Sequence, residues 1–103
     1  MKSIFEKFNS IAKDHALHVY GNDIMIYPCG LAWIYLEVPQ TDSLGKMLEE
    51  EGLLSWDSFS RSYRHWINEH NQSYLHKFEH ANKLAQLLTA EFKMPFKFMA
   101  RLD

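Results

Sequence analysis

Cysteine is nearly absent from this chain. Cys29 stands alone, so no disulfide within the chain can hold the fold together, as expected of a protein kept in a reducing compartment. Three prolines and four glycines leave no flexible linker or low-complexity tract, and the sequence reads as one domain over residues 1–103. Long apolar runs are missing too. No stretch approaches the ~20 residues needed to cross a bilayer, and charges in Met1-Lys2-Ser3-Ile4-Phe5-Glu6-Lys7 interrupt any apolar signal core. A cytoplasmic location without membrane contact is the expectation. An excess of positive charge is also lacking: the net charge is −2, which disfavours broad nucleic-acid binding. Apolar and aromatic material is plentiful, at 47% and 15% of residues, enough for a packed core and incompatible with disorder.

The pattern along the chain predicts an α+β fold. Ser3 and Glu6 have capping-box spacing, and Ile4, Phe8, Ile11 and His15 recur at helical intervals beside Phe5 and Ala12, giving an N-terminal helix over residues 3–14. Residues 17–20 and 23–27, joined by Gly21-Asn22, read as a hairpin, because both turn residues tolerate positive φ. Residues 31–38 complete a three-stranded antiparallel meander. This third strand is apolar on both faces, as a central or doubly covered strand is. A short helix follows through Leu44, Met47 and Leu48, capped at residues 41–43 and reversed at Gly52. Tyr63, Ile67, His70, Tyr74, Phe78, Ala81, Ala85, Leu88 and Phe92 then share one helical arc. A single helix over 56–93 would be about 57 Å long, too long for a domain of this size. Two C-terminal helices are expected instead, broken at Asn71-Gln72-Ser73 with a new N-cap at Ser73. After Pro95, strict alternation of Phe96, Phe98, Ala100 and Leu102 predicts a fourth strand at the sheet edge.

Motifs for catalysis are mostly wanting. Gly21, Gly30, Gly45 and Gly52 form no phosphate-binding loop, and no nucleophile elbow occurs. Cys29, in a Pro-Cys-Gly turn, reads as a small turn residue or buried thiol. His76 and His80 lie one helical turn apart, a spacing that can hold a metal. They fall opposite the Phe78 and Leu88 face, however, where solvated side chains belong, and no third ligand is evident. His65-Trp66-Ile67-Asn68-Glu69-His70 has one residue too many for an inverted zinc-protease motif. His70 reads as an interior histidine. No metal or cofactor is expected. Arg61-Ser62-Tyr63-Arg64-His65-Trp66 mixes guanidinium and aromatic groups as single-strand binders do, but it fits equally an amphipathic helix with Tyr63 and Trp66 inward.

Charge is unevenly spread. Residues 1–20 carry net +1, residues 21–60 one Lys against seven acids for net −6, and residues 61–103 net +3. Glu49-Glu50-Glu51 sits at the C-terminal end of its helix, where the macrodipole disfavours negative charge. An acidic binding face made by Asp42, Glu49, Glu50, Glu51 and Asp57, with Trp56 as an aromatic anchor, is the expected site. The expected function is a small acidic protein-binding inhibitor that is not an enzyme and occludes a basic partner, in the manner of an immunity protein neutralising a bacterial nuclease toxin. A nucleic-acid-associated regulator using residues 61–66, and a small metalloenzyme using His76 and His80, are the alternatives.

Overall fold

A computed structural model describes residues 2–22, 28–71 and 73–103. The chain folds as α1 (Lys2–Tyr20), β1 (Gly30–Leu36), α2 (Ser43–Glu50), β2 (Ser55–Asp57), β3 (Ser62–Trp66), α3 (Tyr74–Phe92) and β4 (Lys97–Leu102). The strands form an antiparallel sheet in the order β2-β3-β1-β4. The α+β class, the short middle helix and the final edge strand are as the sequence indicates.

Two segments differ from expectation. Nothing between residues 2 and 20 is proline or glycine, and α1 runs six residues past Asp14 because Ala16 packs into a fully buried site. Residues 17–20 are therefore helix, not the first strand of a meander; residues 23–27 lie outside the described residues. Gly21 does adopt the positive φ, 79°, that a turn would need. It uses it to end α1, its N–H donating to the Leu17 carbonyl at 2.7 Å. The second difference lies at residues 55–66, a hairpin where a helix was expected. Tyr63, His65 and Ile67 point inward from an extended chain; their spacing of two also satisfies a helical arc at residues 63 and 67, which is the source of the error. Asp57 closes the connecting loop by accepting the Ser60 backbone N–H at 2.8 Å, and Arg61 takes a left-handed φ of 56°.

The core lies between one face of the sheet and the helices. Ala32, Ile34 and Leu36 of β1 are almost wholly buried there, against Leu84, Ala85 and Leu88 of α3. Phe5 of α1 meets the His65 ring of β3 edge-on at 5.0 Å. The N-cap of α2 is Asp42, whose carboxylate accepts the Gly45 N–H at 3.0 Å. Gly45 rests directly on the Tyr63 ring, leaving no room for a Cβ. The α3 helix starts at the expected Ser73 cap. Its buried stripe is rotated from the expected arc, however, and takes in His76, Lys77 and His80. Among the described residues, no helix packs on the opposite face of the sheet. Strand register puts Leu31, Trp33 and Tyr35 of β1 there, with Arg64 and Trp66 of β3 and Lys97, Met99 and Arg101 of β4.

Candidate functional site

The expected acidic site is only partly free to meet a partner. Asp42 is committed to the α2 cap. Asp57 is held by Ser60 and lies 3.6 Å from the Arg64 guanidinium; the Ser60 hydrogen bonds, with Arg64 adding to them, keep its carboxyl below the usual range. Trp56 is half-buried, edge-on to Tyr63 at 5.0 Å, and forms part of the packed interior's rim. Glu51 is half-buried, with Oε2 buried and lacking a hydrogen-bond partner among the described residues. Glu49 and Glu50 are exposed, at the adverse end of the α2 dipole.

Asp42 and Glu49 lie close enough to act on the Tyr63 hydroxyl, whose ring meets Trp56, and Trp56 borders a cleft of about 520 Å3. The cleft runs between the β2–β3 hairpin and the loop after β1, where Val38, Pro39 and Gln40 form the other wall. At the tip of the same hairpin stands Phe59, 97% exposed. Sequence reasoning missed it because a helix was assigned there. The run Ser58-Phe59-Ser60, an aromatic between small polar residues, was the available signal.

His76 and His80 are fully buried, which corrects the expectation of a solvated stripe, and His70 is interior as the sequence indicates. Their hydrogen bonds follow one direction. Asn9 of α1 donates its amide N–H to Glu69 Oε2 at 2.7 Å. Its carbonyl oxygen must then accept from His80 Nε2, also at 2.7 Å. His80 Nδ1 is left to accept from His70 Nε2 at 2.8 Å. In parallel, His76 Nε2 donates to the Gly21 carbonyl at 2.8 Å, and Ser73 Oγ pairs with His76 Nδ1 at 2.6 Å. His70 reaches this cluster from a left-handed backbone, φ 69°.

Burial holds His70 and His80 at about 4, well below the ordinary imidazole value, and the other imidazoles push the same way. Burial alone would raise the Glu69 carboxyl, but the Asn9 amide, its own backbone N–H and the nearby imidazoles hold it below its ordinary value. Both ring nitrogens of His76 and of His80 are engaged by protein groups. Among the described residues, no three His, Cys, Asp or Glu side chains converge as metal ligands. The cluster is a polar tie between α1 and α3.

The Arg61–Trp66 segment is split by its strand. Tyr63 and His65 face inward, while Arg64 and Trp66 face the uncovered side of the sheet. There Trp66 pairs with Trp33, ring centroids 4.8 Å apart, and the Arg64 guanidinium lies 5.0 Å from the Trp33 ring centre. Cys29 is exposed. No described helix is long and apolar enough to cross a membrane. Comparison with protein-family models, with curated proteins and with solved structures finds no match for this chain.

Proposed function

We propose that the chain is a non-catalytic protein-binding inhibitor that occludes a basic partner, with the β2–β3 hairpin as its anchor. The observation that carries this reading is Phe59. A phenylalanine 97% exposed at a hairpin tip contributes no burial to the fold, yet in a partner's pocket it would contribute as interface hot spots do. The cleft beside Trp56 extends the contact surface, and Glu49 and Glu50 supply negative charge that steers association with a basic surface. Immunity proteins that plug the cationic cleft of a nuclease toxin work on these terms.

The test is affinity capture from the source cells, followed by quantitative binding to the protein recovered. Phe59→Ala should weaken binding by roughly 30-fold or more, the equivalent of a hot-spot loss of about 2 kcal/mol. Changing Glu49, Glu50 and Glu51 together to Gln should lower chiefly the association rate and its salt dependence. A partner bound equally well by Phe59→Ala would sink the proposal, and so would one whose association is indifferent to salt.

A further inference from the structure

A second cavity, of about 210 Å3, opens on the sheet face that no described helix covers. Its apolar walls are Trp33, Tyr35 and Met99, and its polar groups are Glu37, Arg64 and the hydroxyls of Ser60 and Ser62. Register builds it: Tyr35 lies between Arg64 on β3 and Lys97 on β4, while Trp33 lies between Trp66 and Met99.

The fold leaves the polar groups of this cavity underused. The ion pair of Arg64 with Asp57 spans 3.6 Å, against the 2.7–2.9 Å of a close charge-assisted bond. Arg64 Nε is buried with no hydrogen-bond partner among the described residues. Glu37 uses Oε1 for Lys97, at 3.0 Å; the Ser60 hydroxyl pairs with that of Ser62 at 2.7 Å and also bonds the Asp57 carboxylate.

Elimination gives the ligand class. A simple carboxylate or phosphate would meet Arg64 but also Glu37 and Asp57, whose like charge opposes it. A simple cation would meet Arg64. A bare hydrocarbon ring would bury these polar groups without replacing their water. What remains is a neutral, planar group with donors and acceptors on its edge, of one ring system in size. Such a group stacks on Tyr and Trp rings and on a guanidinium plane. We propose that this cavity binds a nucleobase, stacked on the half-buried Tyr35 ring beside the buried Trp33, with its acceptor edge toward Arg64 and the serines and its donor edge toward Glu37. The base comes either from a free nucleotide or from a single strand. Arg101, exposed opposite Leu31 on the same face, is placed to meet a following phosphate.

Tryptophan fluorescence and proton NMR titrations decide it. The probes are the four ribonucleoside monophosphates, single-stranded RNA and DNA of about ten residues, duplex DNA and inorganic polyphosphate. The expected result is saturable quenching by at least one mononucleotide, weakened roughly tenfold by Arg64→Met and by Glu37→Ala. Both variants should melt close to the native protein, since Glu37 is exposed and Met keeps an apolar stem beside the indoles. Oligonucleotides that bind much tighter than mononucleotides, with Arg101→Ala removing the gain, identify a single strand as the source. Equal affinity identifies a free nucleotide. Phe59→Ala should leave this binding unchanged, which separates it from the hairpin's role. Overturning results are no response to any mononucleotide or single strand, binding of polyphosphate as strong as that of single strands, or unchanged affinity in both cavity variants.

Discussion

Phe5 and Phe59 carry the same side chain in opposite surroundings, 2% and 97% exposed. Removing the Phe5 ring opens a cavity where α1 meets β3, and Phe5→Ala should cost about 3–5 kcal/mol. Phe59→Ala should stay within about 0.5 kcal/mol of the native protein, because no packing is lost. Urea unfolding of the two variants measures the contrast; a loss well beyond 1 kcal/mol for Phe59→Ala would make the residue structural and remove it as an anchor. Gly45 shows the opposite dependence on side-chain size. Alanine there gains up to about 1 kcal/mol of helix propensity, yet its Cβ would overlap the Tyr63 ring. Tyr63 cannot retreat easily: it is fully buried and its hydroxyl donates to the Gln40 carbonyl. Overpacking of this kind costs typically 1–3 kcal/mol, so Gly45→Ala should be destabilising on balance. A more stable Gly45→Ala protein would show that α2 shifts freely over the sheet.

Elements ended by local chemistry were readable in the sequence, and elements defined by tertiary packing were not. Asp42 and Ser73 cap α2 and α3 where the residue types indicate, and Gly52 turns with a φ of 77°. The alternation after Pro95 is β4, paired along β1 from Gly30 to Tyr35. Truncating the chain after Pro95 would strip that edge of Phe96, 6% exposed, and of Phe98, whose ring meets Phe78 edge-on at 5.0 Å. Burial of each ring is worth roughly 1.5–3 kcal/mol, and 1 kcal/mol moves the midpoint of a domain this size by about 4–8 °C. The truncated protein should therefore melt at least about 10 °C lower in calorimetry, and an unchanged midpoint would show β4 to be dispensable. The missed elements share one cause. Gly21 signals a reversal after either a strand or a helix, and only the burial of Ala16 beneath its neighbours decides for the helix. Residues 63 and 67 fit both periods, so β3 became legible only through its pairing with β1. The local duties of the acidic residues were not legible from charge alone: Asp42 caps α2 and Asp57 closes the β2–β3 loop. The Trp33–Trp66 pair joins strands 33 residues apart and has no local signature.

At the scale of the whole molecule, the helices are tied together by neutral histidines. The chain Glu69–Asn9–His80–His70 links α1, the segment before α3, and α3 itself. Lys13 and Lys77 lie close enough to oppose further positive charge on His70. In the unfolded chain His70 and His80 bind protons near 6.5, but in the fold only near 4. Between those values the unfolded state holds more protons, so stability is complete above about pH 6.5 and falls as the pH drops toward 4. At about 1.4 kcal/mol per pH unit, His80 alone contributes a loss of roughly 3 kcal/mol. The loss from His70 has the same sign, as does that from His65, which burial also depresses. Glu69, depressed in the fold, adds its share only below its ordinary carboxyl range. Protonating both imidazoles would also set two donors face to face across the His70–His80 bond and break this tie between α1 and α3. His80→Gln keeps one donor for Asn9 and one acceptor for His70 without the titration. Its urea-unfolding free energy, measured from pH 8 to pH 4.5, should be somewhat lower at neutral pH but fall less steeply with acid, by close to one proton. A native profile that stays flat over that range, or a His80→Gln slope equal to the native one, would show that the buried imidazoles do not set the acid limit of this fold.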